Sequence, residues 1–285
     1  MPSLFRLLGC LPLPLLHGLG VILGWAAWLA SPGLRRHLAA NFGRACGQKA
    51  ARRLLPAAVG HFGKGIAELP RVWMRGQEEV KAMVREVRGW ERVEAAWARG
   101  DGILFLTPHL GSFEMIVQYL GARLPTTVLY RVAKHGWLQR LIEEGRGGGK
   151  VALAPSDLGG VRQLLRALKR REAVLILPDQ VPGFGEGEWV DFFGRPAYTM
   201  TLAARMTQAT PAALLLLWAE RLPGGAGFRV HVSGPREPVA GTPRERALAI
   251  NREVEALIRS EPAQYLWGYN RYKVPAGARP PGPPC

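Results

Sequence analysis

The chain shows two regimes of apolar patterning. Residues 7–30 form a run of 24 positions without Lys, Arg, Asp or Glu, interrupted only by the imidazole of His17. One helix of that length would span roughly 36 Å at about 1.5 Å per residue, enough for a hydrocarbon core of about 30 Å. Pro12 and Pro14 shorten the uninterrupted part to residues 15–30, roughly 24 Å, which suits a helix lying in one leaflet or entering at a tilt. A cleaved leader fits poorly, because one Arg precedes the run and no small-x-small site appears before Pro32. Residues 1–32 are therefore expected to be a retained N-terminal membrane-anchor helix.

Beyond residue 90 short apolar runs alternate with amphipathic stretches. Residues 103–107, 126–131, 173–177, 212–218 and 227–232 read as strands. Helical spacing marks residues 91–99, the stretch from Ser112 to about Leu120, the one around Trp137 to Ile142, and residues 161–168, 199–207 and 244–259. This alternation predicts an α/β fold with a mainly parallel central sheet flanked by helices. Residues 145–150 read as a flexible turn, and a glycine-rich loop is expected to run from the end of Pro178-Asp179-Gln180 to about Pro196. Residues 33–274 form the expected main domain, and the Pro- and Gly-rich residues 275–285 an expected disordered tail.

Charge changes this picture more than composition does. The sequence carries 38 basic against 22 acidic side chains, a formal net charge of +16. Seven of the cations (Arg35, Arg36, Arg44, Lys49, Arg52, Arg53 and Lys64) fall within residues 33–64, which contain no acid. Such a cluster directly after an apolar run favours an anionic leaflet by about 1 kcal/mol per residue and a cytoplasmic location for the rest of the chain. Leu34, Leu38, Phe42, Leu54, Leu55, Val59 and Phe62 are the candidate apolar contacts of this segment. Three scattered cysteines exclude a disulfide framework. A nucleic-acid partner is not expected, since no basic motif with interleaved aromatics is present.

The candidate chemistry lies at residues 102–114. Pro108 ends the strand, His109 sits just beyond it, and Glu114 comes after four intervening residues. Gly111 permits a tight turn, and Ser112 is a suitable N-cap for a helix near Phe113. A histidine oriented by a carboxylate at a strand's carboxyl end is a candidate general base, with Glu114 the expected orienting group. No Gly-x-Ser-x-Gly elbow or nearby cysteine supplies a nucleophile, which favours activation of a substrate hydroxyl. Arg131 and the Asp179–Gln180 pair stand at two further strand ends and are expected on the same edge. Metal binding is not expected: the six histidines form no close pair and His-Glu-x-x-His is absent.

Read in order, His-x4-Glu after an apolar strand, Tyr130-Arg131, Pro178-Asp179-Gln180, Phe192-Phe193-Gly194 and Gln264-Tyr265-Leu266-Trp267 resemble the bacterial lipid A late acyltransferases. These lauroyl and myristoyl acyltransferases lie within the wider lysophospholipid acyltransferase superfamily. The resemblance covers the chain from the N-terminal segment to Lys273. It implies a glycerolipid acyltransferase-like fold and transfer of a fatty acyl chain from acyl carrier protein to a hydroxyl of a lipid A precursor. It places this at the cytoplasmic face of the inner membrane, with no cofactor. His109 and Glu114 would be catalytic; Arg131, Asp157, Asp179 and Gln180 would bind or support substrate. Backbone amides near Ser112 would help hold the oxyanion. Glu114 departs from the Asp usual in glycerolipid enzymes. Gly268-Tyr269-Asn270-Arg271 replaces the His-Arg-Arg that comes after the Trp in many relatives, so the acceptor remains a lipid A precursor or another anionic glycolipid. The positive charge suits an acidic donor protein and a phosphorylated acceptor. Two other classes stay in view: a basic membrane- or nucleic-acid-binding protein, and a hydrolase using the same dyad on water.

Overall fold

The computed structural model describes residues 2–280; the expectation for 281–285 lies outside the described residues. Helices α1 (Pro2–Gly9), α2 (Leu13–Ala30), α3 (Pro32–Cys46), α4 (Gln48–Ala67), α5 (Leu69–Met74) and α6 (Gln77–Ala82) precede the first strand. Next come β1 (Val84–Arg88), α7 (Glu91–Arg99), β2 (Ile103–Leu106), α8 (Phe113–Gly121), β3 (Thr126–Tyr130), α9 (Gly136–Arg146), β4 (Val151–Pro155) and α10 (Leu158–Lys169). The chain continues as β5 (Ala173–Ile176), β6 (Gly187–Phe192), β7 (Arg195–Met200), α11 (Leu202–Ala209), β8 (Ala213–Arg221), β9 (Phe228–Ser233) and α12 (Pro243–Ser260).

Seven strands form one sheet in the order β1-β9-β8-β2-β5-β3-β4. The five from β8 to β4 are parallel; β9 runs against β8, and β1 runs with β9. The α/β fold with a mainly parallel sheet is thus present. Its centre is apolar on both faces: every residue of β2 and β5 is buried, as expected of parallel strands covered by helices on each side. One face packs under α3, α4, α10, α11 and α12, the other under α5, α7 and α8.

Three features depart from the sequence reading. The turn expected at residues 145–150 is the end of α9 and then an approach to β4, a five-residue edge strand that begins directly after Lys150. The glycine-rich loop contains the antiparallel hairpin β6–β7, closed at Phe193-Gly194 with φ of 48° and 69°. Residues 199–200 belong to that hairpin, so the helix expected from Thr199 starts at Leu202.

Pro12 and Pro14 open α2 rather than break it, since the first turn needs no backbone donors. The helix therefore runs 18 residues, from Leu13. It is also not a detached rod. A Cβ on Gly63 of α4 would stand 1.8 Å from the Gly20 carbonyl oxygen, so the two backbones cross in direct contact. His17 Nε2 lies 3.1 Å from a Glu68 carboxylate oxygen, and Arg221 donates to both Glu68 oxygens at 2.9 and 2.7 Å. Burial pushes the Glu68 carboxyl up, but the Arg221 charge and the His17 hydrogen bond prevail and hold it at about 2. Leu15, Ile22, Leu23 and Leu29 remain exposed on the outer side of α2.

Candidate active site

Register brings the site together. Leu106 of β2 is paired with Ile176 of β5, and His109 and Asp179 each stand three residues beyond that pair. They meet side by side at the carboxyl edge of the sheet. Asp179 Oδ1 is 2.8 Å from His109 Nδ1, and Oδ2 accepts the His109 backbone N–H at 2.9 Å. A carboxylate only accepts, so Nδ1 carries the ring proton and Nε2 presents its lone pair. Gln180 Nε2 lies 3.0 Å from that nitrogen and donates to it. The ring is flanked by Phe113, with centroids 4.6 Å apart.

Asp179 is 2 % exposed. Burial alone would raise its carboxyl, but the His109 charge, hydrogen bonds from the His109 ring and amide, and the Tyr265 hydroxyl keep it below the usual carboxylate range. Tyr265 is correspondingly pushed well above the ordinary phenol range, first by burial and then by the Asp179 charge. The site thus holds an ionised carboxylate directly behind the imidazole.

The expected pairing of His109 with Glu114 is not what the structure places there. Glu114 is the second residue of α8, and the helix turns its side chain away from His109. Both its oxygens accept from Arg146, through Nε at 2.8 Å and through a terminal nitrogen, and Trp73 Nε1 donates to one of them at 3.0 Å. Burial opposes the Arg146 charge, and Glu114 more than restores it, raising Arg146 above the ordinary guanidinium value. Glu114 therefore fixes an arginine, and Asp179 fixes the histidine.

In front of His109 opens a cavity of about 530 Å³, within the range of small-ligand sites. Its walls include His109, Arg131, Arg146, Asp157, Gln180 and Arg205 among apolar neighbours such as Leu129, Val161 and Leu202. Arg131 extends past β3 and is exposed, with no ion pair among the described residues. Asp157 reaches the cavity wall while capping α10, its Oδ1 accepting the Gly160 N–H at 2.8 Å. Asp179, expected among the substrate contacts, sits behind His109 instead and does not line the cavity.

Two of the amides near Ser112 are already engaged. Gly111 N–H donates to the Gln264 carbonyl at 3.1 Å and Ser112 N–H to the Ala219 carbonyl at 2.8 Å. Ser112 does stand at the N-cap, yet its hydroxyl makes no capping bond. Arg146 and Arg205 were outside the sequence reading. Arg146 had a signal, since it closes an amphipathic helix that comes directly after a strand end; Arg205 had none before the hairpin shifted the start of α11.

These features converge on a known family. The model of the bacterial lipid A biosynthesis acyltransferases matches residues 3–274. The chain belongs to this family. Its relatives include the lipid A biosynthesis lauroyltransferase of Escherichia coli (strain K12), 27 % identical over 82 % of this chain and 74 % of that protein. The lipid A biosynthesis palmitoleoyltransferase of the same organism is 24 % identical over 75 % of this chain and 69 % of that one. A phosphatidylinositol mannoside acyltransferase of Mycobacterium tuberculosis (strain CDC 1551 / Oshkosh) is 28 % identical over 61 % of this chain and 55 % of that one.

Proposed function

We propose that the protein moves a fatty acyl chain from the thioester of acyl carrier protein to a hydroxyl of a lipid A precursor. The carrying observation is the His109 imidazole in the cavity wall, pinned by Asp179 through Nδ1 with Gln180 on Nε2. The acceptor hydroxyl displaces the Gln180 amide from Nε2 and gives up its proton there as its oxygen attacks the thioester carbonyl. The resulting imidazolium is stabilised by the Asp179 carboxylate. When the tetrahedral intermediate collapses, the carbon–sulfur bond breaks and Nε2 returns the proton to the leaving thiolate. The products are an ester and a free thiol, and no cofactor enters the balance.

Arg131 is suited to the oxyanion or to a substrate phosphate, because it is a cation in the cavity wall with no ion pair among the described residues. Asp157 and Gln180 contribute acceptor contacts. Glu114 serves as a positioning residue that presents Arg146 to the cavity. The exposed apolar side of α2, with the basic helices α3 and α4 after it, supports attachment to an inner membrane with the catalytic domain on the cytoplasmic face. The similarity to a phosphatidylinositol mannoside acyltransferase supports a second reading in which the acceptor is another anionic glycolipid.

The test incubates purified protein with labelled acyl carrier protein thioester and either a lipid A precursor or a phosphatidylinositol mannoside. Label in the glycolipid identifies the acceptor. Free fatty acid with no acylated lipid would make the protein a hydrolase, and no turnover of any thioester would leave it a binding protein.

A further inference from the structure

Helix α10 carries no acidic residue. Leu158, Arg162, Arg166 and Lys169 succeed one another at intervals of four, four and three, which puts them on a single stripe of the helix. The opposite side, Gly160, Leu164, Ala167 and Leu168, is buried against the sheet. All four stripe residues are exposed, and Leu158 is 77 % exposed although it is a leucine in the cavity wall. Among the described residues none of the three cations makes an ion pair, while Arg170 just beyond them is already taken by Glu172. Arg131 and Arg205, also without ion pairs among the described residues, extend the positive field across the mouth of the cavity.

Topology separates this stripe from the membrane side. α10 links the carboxyl end of β4 to the amino end of β5, so it descends from the cavity edge of the sheet to the opposite edge. The His17 end of α2 lies at the cavity edge, because it is tied through Glu68 to Arg221 at the end of β8. A bilayer at that edge meets only the first turn of α10. A soluble protein alongside meets the whole of it, roughly 18 Å by the rise of an α-helix.

We propose that the α10 stripe is the docking surface for an acidic carrier protein, which threads its thioester-bearing arm past Leu158 into the cavity. Acidic side chains of the carrier pair with Arg162, Arg166 and Lys169, and Leu158 supplies the apolar contact at the point where the arm enters. This deepens, and rests on, the carrier-thioester reading of the donor.

The test uses the full-length protein and two donors: acyl carrier protein bearing a lauroyl thioester, and lauroyl-pantetheine, the same thioester without the protein. The reversal Arg162→Glu/Arg166→Glu/Lys169→Glu is expected to raise KM for the charged carrier about tenfold or more and to abolish its salt dependence. Turnover of lauroyl-pantetheine stays at the wild-type level, which also shows that the variant is folded. The milder Arg162→Gln/Arg166→Gln/Lys169→Gln gives a smaller rise in the same direction. Reversal at Arg92, exposed on α7 at the other face of the sheet, leaves the carrier KM within about twofold. An unchanged carrier KM in the α10 variants overturns the proposal, as does equal loss with both donors. A loss of binding to phosphatidylglycerol vesicles in place of the KM effect assigns the stripe to lipid and overturns it too. Wild-type protein that uses lauroyl-pantetheine but no carrier thioester refutes the donor reading and removes the occupant; a working carrier with an indifferent α10 refutes the surface alone.

Discussion

Asp179 holds His109 at two points, its ring Nδ1 at 2.8 Å and its own backbone amide at 2.9 Å. This double grip fixes the tautomer and the direction in which Nε2 points. Replacing Asp179 with Asn keeps the shape but removes the charge that stabilises the imidazolium. The expected result is a fall in kcat of about 100-fold or more with KM for the glycolipid little changed. Steady-state kinetics on Asp179→Asn measures it; a fall carried by KM alone would contradict the assignment.

Glu114 and Arg146 form a largely buried ion pair, with side-chain exposures of 7 % and 18 %. Removing one partner leaves a desolvated charge, at a cost of about 3–5 kcal/mol, whereas removing both spares it. The double variant Glu114→Ala/Arg146→Ala should therefore unfold at a higher denaturant concentration than Glu114→Ala. The Gln variant of Glu114 is expected to leave the pH midpoint of the rate where it was, because Glu114 does not touch the imidazole. A shift of that midpoint would restore Glu114 as the partner of His109.

The core strands are legible from the sequence because a parallel strand covered on both faces is a continuous apolar run, as in residues 103–106 and 173–176. The end of each run is marked by a proline two positions past it, which puts His109 and Asp179 on one edge. Which carboxylate meets the imidazole is not legible in the same way. Glu114 is close in sequence but is carried round by the first turn of α8, and Asp179 is distant in sequence but adjacent by register. The edge strand β1 escapes notice because it carries charge, β4 is a short run ended by Pro155 although it is apolar throughout, and the β6–β7 hairpin is hidden by its glycines. The apolar segment reads correctly as a helix; its attachment through Gly20, Gly63 and His17 depends on partners more than 40 residues away.

Gly111 has φ of 59°, and a Cβ there would stand 1.9 Å from the Ala219 carbonyl oxygen that receives the Ser112 amide. Both the left-handed backbone and the contact exclude a side chain. Gly111→Ala is expected to cost about 2 kcal/mol or more, read as a lowered midpoint in chemical denaturation. Because the turn carries His109, kcat should fall as well. Equal stability would show that the turn relaxes at no cost.

His61 of α4 is held down to about 3, chiefly by burial and then by the neighbouring Arg221 and Lys64 charges. A depressed imidazole is neutral in the folded protein but binds a proton in the unfolded chain below about pH 6.5. Stability is therefore full above that pH and declines as pH falls from 6.5 toward 3. Between pH 7 and 5 the loss is about 2 kcal/mol. Glu68, held at about 2, adds to the decline only below the ordinary glutamate range. In His61→Leu, denaturation midpoints at pH 7 and 5 should lie closer together than in the wild type. An unchanged gap would remove His61 from the account.

The most direct measurement is single-turnover acyl transfer from lauroyl-acyl carrier protein to a lipid A precursor by His109→Ala beside the wild type. The imidazole both takes the acceptor proton and returns it to the thiolate, so the rate is predicted to fall by about 10² to 10⁴ in a variant that still unfolds cooperatively. Transfer by a folded His109→Ala at a rate within a few-fold of the wild type would contradict the mechanism.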